Sequence, residues 1–223
     1  MSIRKMSFVE GEYYHLYNRG NSKQKIFHDE EDYQRFISLL YVSNTSDRFN
    51  LYNLELALKF NVYNLERNNL LVSIGAYCLM PNHFHILIKE NIEGGISKFM
   101  QKLSTAYSMY YNKKYERTGS LFEGKFKSQY LDTHNYLKYI YSYIHLNPIK
   151  LIQKDWKEKG IKNRKDAVDY LNNYKYSSYL DFTGEKRQQN KILNINAFPK
   201  YFSAKDKFKR EIFEWLLYNY EYR

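Results

Sequence analysis

The 223-residue sequence predicts an α+β fold. It is a ferredoxin-like, RRM-like four-stranded antiparallel sheet with two helices on one face, a tyrosine-bearing helix on the other, and a helical C-terminal extension. Three observations predict it. Strand-type and helix-type segments follow one another as strand, helix, strand, strand, helix, strand, helix, and the first six match the split βαβ arrangement. The segments on either side of Pro81 read as two strands joined by a tight turn, hence an antiparallel pair. Hydrophobic residues make up 43% of the chain and aromatic residues 18%, enough to bury a core and too much for a disordered protein.

Each element has its own local reason. Tyr13 to Asn18 is rich in β-formers and ends in the turn signal Asn18-Arg19-Gly20, which makes a first strand. Asp29 is placed to cap a helix whose apolar residues Tyr33, Phe36, Ile37, Leu40 and Tyr41 recur at helical spacing. Residues 42–69 are Asn-rich and weakly patterned; they read as an insertion, with a short helix expected over Leu54 to Phe60. Leu70 to Leu79 reads as a buried strand, punctuated by Met80-Pro81-Asn82 because proline cannot donate to a ladder. His83 to Lys89 resumes strand character, with His83, His85 and Leu87 on one face and Phe84, Ile86 and Ile88 on the other. After Gly94-Gly95 an apolar stripe of Ile96, Phe99, Met100, Leu103, Tyr107, Tyr110 and Tyr111 marks a long helix, and its tyrosines are read as core. A last strand is expected over Leu121 to Tyr130, and Thr133 is placed to cap a helix that Pro148 stops at about Asn147. The domain so defined spans 8–150. The remainder, 151–223, is a basic helical extension, with helices expected near Asp166 to Asn172 and, capped by Ser203, around Phe208, Ile212, Trp215 and Leu216.

Composition narrows the function. A single cysteine, Cys78, excludes an internal disulfide framework and a Cys-based zinc module; it reads as a small buried hydrophobe. The longest apolar run, 70–80, is broken by Ser73 and Gly75, and no apolar signal region follows the first charges. The expectation is therefore a cytoplasmic, nucleoid-associated protein without membrane contact. Lys and Arg outnumber Asp and Glu by 35 to 24, a net charge of +11, which favours a polyanionic partner, and 25 tyrosines with 14 phenylalanines offer stacking faces for unpaired bases. An A/T-rich genome would also enrich Asn, Lys, Ile and Tyr, so location says more than totals. From Lys98 to Lys127 seven basic residues face two acidic ones, a bias that a solvated surface of interleaved charges lacks.

His83-Phe84-His85 is the sharpest local feature. Alternate strand residues share a face, so the two imidazoles converge while Phe84 anchors the opposite side. Alone, such a triplet is more often a polar strand face than a ligand pair. The helix before Pro148 adds Tyr143 and Asn147, four apart and hence on one face, with Tyr136 and Ile140 extending the stripe. At a helix end, the Asn147 carbonyl can act as a hard oxygen ligand. A tyrosine beside a metal has a specific chemistry: attack on a polarised phosphoryl group to form a covalent ester. That ester conserves the energy of the broken backbone, which suits rearrangement of DNA better than its degradation. Tyr136, Tyr139, Tyr141 and Tyr143 all share this helix, so spacing alone does not single out Tyr143.

Taken together, Tyr77-Cys78-Leu79-Met80-Pro81-Asn82-His83-Phe84-His85-Ile86-Leu87 resembles the HUH segment of the single-tyrosine HUH transposases, and within them the REP-associated tyrosine transposases. The resemblance extends through His15-Leu16-Tyr17-Asn18-Arg19-Gly20, through Gly119 to Ser128, and through Tyr143-Ile144-His145-Leu146-Asn147-Pro148. Tyr176-Ser177-Ser178-Tyr179 resembles the family weakly. The resemblance implies the sheet derived above and a Mg²⁺ or Mn²⁺ ion bound by His83, His85 and Asn147. It implies Tyr143 as a nucleophile forming a 5′-phosphotyrosine link to single-stranded DNA, with recognition of DNA hairpins. The chain departs from the family in the length of its 42–69 excursion and beyond residue 150, which leaves open whether it works as a monomer or a homodimer. Arg19, Lys125 and Lys127 are expected to contact DNA, Lys125 and Lys127 alternating along one strand. His15 is a weaker candidate for DNA contact, and His134 and His145 read as surface or packing histidines. The competing readings are a non-catalytic protein that binds DNA or RNA hairpins on the same fold, and another HUH endonuclease.

Overall fold

A computed structural model describes residues 7–47, 61–200 and 205–214. Its strands are β1 (Tyr13–Arg19), β2 (Val72–Met80), β3 (His83–Glu90) and β4 (Lys127–Tyr130). Its helices are α1 (Glu30–Val42), α2 (Gly95–Lys114), α3 (His134–Leu146), α4 (Trp156–Lys159), α5 (Arg164–Asn173), α6 (Tyr179–Thr183) and α7 (Lys205–Glu214). The strands form one antiparallel sheet in the order β2-β3-β1-β4, the split βαβ topology that the order of elements predicts.

The two faces of the sheet carry separate cores. On one face Leu16, Tyr77, Leu79, Phe84, Ile86 and Ile88 pack with the apolar stripes of α1 and α2, Tyr107 and Tyr111 included. On the other, Cys78, Met80 and Leu87 pack with Leu137, Ile140, Tyr141 and Ile144 of α3 and with residues from α5, α6 and α7. Apolar cover on both faces explains why β2 is buried at all nine positions and reads as a continuous apolar run instead of an alternation. Its outer edge is covered as well. Tyr176 to Ser178 lie along it, with Leu79 N donating to Tyr176 O and Ser178 N to Tyr77 O, each at 2.9 Å, so β2 offers no open ladder for a second chain.

The caps follow the local chemistry of the sequence. Asp29 accepts from Asp32 N and Thr133 from Tyr136 N, each satisfying a helix donor that has no partner within the helix. The acidic first turn of α1 meets the basic last turn of α2, where Lys114 pairs with Asp29, Glu31 and Asp32. Gly75 sits at a bulge in the β2–β3 ladder where a Cβ would lie 2.7 Å from the Phe198 ring, so only glycine lets that ring seat against the strand.

Several expectations need correction or fall elsewhere. The last strand is four residues long instead of running from Leu121, because Gly124 adopts a left-handed φ of 90° and Leu121 and Phe122 turn into the core. Lys125 therefore precedes β4 and does not alternate with Lys127 on a strand. The helix expected near Asp166 begins two residues earlier, at Arg164, because Asn163 accepts from Lys165 N and Asp166 N. The helix expected over 54–60, the Ser203 cap, Trp215 and Leu216 lie outside the described residues. Among the described residues no helix is long and apolar enough to cross a membrane.

His145 is a packing histidine, fully buried on α3. Its Nδ1–H donates to Tyr141 O and its Nε2 accepts from Ser178 Oγ, both at 2.9 Å. Burial holds its pKa down at about 3, against about 6.5 for the unfolded chain. The unfolded chain therefore takes up this proton first as pH falls. The contribution is intact above pH ~6.5 and erodes toward the folded value, by about 2 kcal/mol at pH 5 from the two pKa values. Chemical denaturation at pH 7 and pH 5 checks this: a His145→Gln variant loses less stability between the two than the unaltered protein.

Candidate active site

β1 and β3 are neighbours in antiparallel register, with Arg19 opposite His83, Tyr17 opposite His85 and His15 opposite Leu87. Residues directly opposite one another project from the same face, so His15, Tyr17, Arg19, His83 and His85 share one side of the sheet. β4 adds Lys127, opposite Tyr17. α3 lies across β2 and β3 on that side and places the Tyr143 ring edge-on to His85 at 5.4 Å and to His15 at 6.1 Å between centroids. The residues that the sequence pattern singles out, from two distant segments, therefore meet. Of the four tyrosines on α3, Tyr141 turns away to contact Phe182, while Tyr139 stacks one turn behind Tyr143.

The hydrogen bonds leave both Nε2 atoms of the histidine pair unused. His83 Nδ1 donates to Asn82 Oδ1 at 2.6 Å, and since that oxygen only accepts, His83 Nε2 keeps its lone pair. His85 Nδ1 lies 2.9 Å from His15 Nε2. His85 Nε2 is buried without a hydrogen-bond partner, and so is Asn147 Oδ1. An imidazole nitrogen and an amide oxygen left unpartnered in a buried polar site are unfavourable unless a ligand completes them. Two imidazole nitrogens and a carboxamide oxygen suit a divalent cation of intermediate hardness. Among the described residues no three His, Cys, Asp or Glu side chains are disposed to hold a metal together, and Asn147 Oδ1 is an unpartnered oxygen at the end of the helix that faces the histidine pair.

Electrostatics point the same way. Burial, then nearby Lys150 and Arg19, pushes the His83 pKa down to about 4; burial and then Lys157 lowers His15 to about 3. His85 is held well below its usual range by burial and by its cationic surroundings. All three imidazoles are therefore neutral near pH 7, the state in which a ring nitrogen can ligate. Burial raises the Tyr143 phenol to about 12, opposed by a hydrogen bond with the Asn147 side chain. Trp156 of α4 stacks on the Tyr143 ring at 6.3 Å, and Lys157 Nζ lies 5.1 Å from its centroid.

Beside His83 opens a cavity of about 730 Å³. Six cationic side chains line it, Arg19, Lys23, Lys25, Lys127, Lys150 and Lys154, with Glu123 as the acidic one. Arg19 makes a bidentate pair with Glu123, so part of its charge is already answered. Of the three expected DNA contacts, Arg19 and Lys127 line this cavity and Lys125 does not. The structure also places at or beside the site Asn82, Lys150, Lys154, Trp156 and Lys157, which the sequence reading did not single out, and His15, which it gave as a weaker candidate for DNA contact. Lys150 and Lys154, four apart just after Pro148, could have been found as a basic pair continuing the α3 surface. Lys157 carries no local signal.

Residues 63–147 match the family model described as "Transposase IS200 like"; that span runs from just before β2 to Asn147 and contains His83, His85, Tyr143 and Asn147. A solved structure described as the REP-associated tyrosine transposase bound to a REP hairpin superposes with a TM-score of 0.51 at 11% identity. The superposition covers 85% of this chain and 90% of that one, a likeness of fold. No curated protein matches the chain. The four-stranded sheet with its histidine pair facing a tyrosine helix shares the fold of that transposase, and residues 63–147, which carry both histidines and Tyr143, are similar to the IS200-like transposase family model.

Proposed function

We propose that this chain cleaves and rejoins single-stranded DNA at hairpin-forming repeats through a covalent 5′-phosphotyrosine on Tyr143, as a transposase or a domesticated relative. The observation that carries the reading is the convergence of the Tyr143 ring on His85 beside two buried unpartnered polar atoms, His85 Nε2 and Asn147 Oδ1. His83, His85 and Asn147 would hold Mg²⁺ or Mn²⁺, which when bound supplies positive charge that polarises a phosphoryl oxygen. Tyr143 supplies the nucleophile. As its oxygen bonds to phosphorus the phenol loses its proton, the P–O3′ bond breaks, and the departing oxygen takes up a proton to become a 3′-hydroxyl. With its pKa near 12, the phenol is protonated in the free protein, so activation belongs to the assembled complex. Lys157, close over the ring, steadies the negative charge that develops on the phenol oxygen.

The cationic cavity supports phosphate tracking by Arg19 and Lys127, joined by Lys150 and Lys154; Lys125 would contact DNA from outside it. Purified protein incubated with Mn²⁺ and a pool of hairpin-bearing oligonucleotides is expected to yield an SDS-resistant protein–DNA adduct and a released fragment with a free 3′-hydroxyl. Hairpin binding with no adduct under any divalent metal would replace this reading with that of a non-catalytic hairpin-binding protein. Affinity is expected to fall steeply with salt, and Lys150→Ala with Lys154→Ala to flatten the log–log slope by ~0.7 for each single-strand phosphate contact removed. Fluorescence anisotropy between 50 and 200 mM salt measures that slope.

A further inference from the structure

We infer that His15 is a positioning residue that orients His85 and fixes its tautomer for a divalent cation; this rests on the reading that His83 and His85 hold one. His15 and His85 are both buried, 6% exposed each, with ring centroids 5.0 Å apart, planes 26° from parallel and a 2.9 Å contact between His15 Nε2 and His85 Nδ1. A neutral imidazole has one N–H and one lone pair. His85 Nε2 can offer its lone pair only when Nδ1 carries the proton, and a buried Nδ1–H needs an acceptor. His15 Nε2 is the partner the structure provides.

The two histidines of the pair solve the same problem differently. His83 uses the carbonyl of its own neighbour, Asn82. His85 points deeper, and its acceptor comes from across the sheet, two residues along from its directly opposite partner Tyr17. That arrangement separates positioning from ligation. With its Nε2 lone pair engaged by His85, His15 cannot use the same nitrogen on the cation, so it acts through His85 and not as a third imidazole ligand. The rings of Tyr17, tilted at 5.1 Å from His15, and of Tyr143, near-perpendicular at 6.1 Å, pack beside the imidazole. Partners of this kind, which hold a ligand ring by its other nitrogen, typically tune metal affinity by 10- to 100-fold.

The test is Mn²⁺ titration of the full chain without DNA, by calorimetry or electron paramagnetic resonance. His15→Phe, which keeps ring volume and removes the acceptor, is expected to weaken Mn²⁺ binding about 10- to 100-fold. His15→Gln, whose carbonyl can accept from His85, is expected to recover most of the affinity. Binding by His15→Phe within about twofold of the unaltered protein, while His85→Ala abolishes it, overturns the inference and leaves the metal reading standing. Equal Mn²⁺ binding by His85→Ala and the unaltered protein overturns both. A measurement that needs no variant is the imidazole ¹⁵N spectrum of the Mg²⁺-saturated protein. It is expected to show His85 protonated at Nδ1, and a proton on His85 Nε2 overturns the inference.

Discussion

Tyr143→Phe is expected to abolish the SDS-resistant adduct while leaving hairpin affinity within about twofold of the unaltered protein. The substitution removes one oxygen and keeps the ring that stacks with Tyr139 and Trp156, so the packing of α3 survives it. What it removes is the atom that forms the ester. Affinity should persist because the cations that would track phosphates, among them Arg19, Lys127 and Lys150, belong to other residues. The phenol's hydrogen bond with Asn147 is also lost, at roughly 1 kcal/mol of stability, too little to unfold a domain with two cores. Denaturing gels of 5′-labelled and 3′-labelled hairpins, run with a thermal melt of the variant, check all of this together. An adduct that survives Tyr143→Phe would move the nucleophile to Tyr139, one turn back on the same stripe, and would sink the assignment to Tyr143.

His83→Ala is expected to lose cleavage by about 10³-fold or more, the equivalent of about 4 kcal/mol of transition-state stabilisation that a catalytic cation typically supplies. Mn²⁺ affinity is expected to fall with it. The melting temperature should hardly move, because His83 is only half-buried and bonds to its neighbour Asn82 alone. His85→Ala is expected to lose cleavage to the same degree but also to lose roughly 1–3 kcal/mol of stability, since His15 Nε2 is left without its buried partner. The contrast discriminates. A purely structural histidine pair predicts stability loss in proportion to activity loss, whereas a cation site predicts that His83→Ala separates the two. Parallel melts and adduct assays of both variants, with and without EDTA, measure the difference.

The elements that position the site were readable because each has a local cause. Asp29 and Thr133 cap helices by bonds to residues three positions on, and Pro81 divides two strands whose alternation assigns the faces of His83, Phe84 and His85. The strand expected from Leu121 was not readable in the same way: whether Phe122 continues a ladder or turns into the core depends on the space beneath β1 and α2, and Gly124 accommodates either outcome. The extension beyond residue 150 was legible as basic and helical, but not as part of the second core or as the source of Trp156 and Lys157 at the Tyr143 ring.

By itself, then, the chain's order of residues determined the α+β class, the strand face of the histidine pair, the helix carrying Tyr143 and Asn147, and a basic character suited to nucleic acid. All of these depend on periodicity, capping and charge within a window of one element. Only the tertiary structure decided that His15 meets His85 across two strands, that Lys150 and Lys154 face the same cavity as Arg19, and that Lys157 stands over Tyr143. Those contacts join segments separated by 14 to more than 100 residues in sequence, and strand register together with the packing of two cores selects them, which no local pattern encodes.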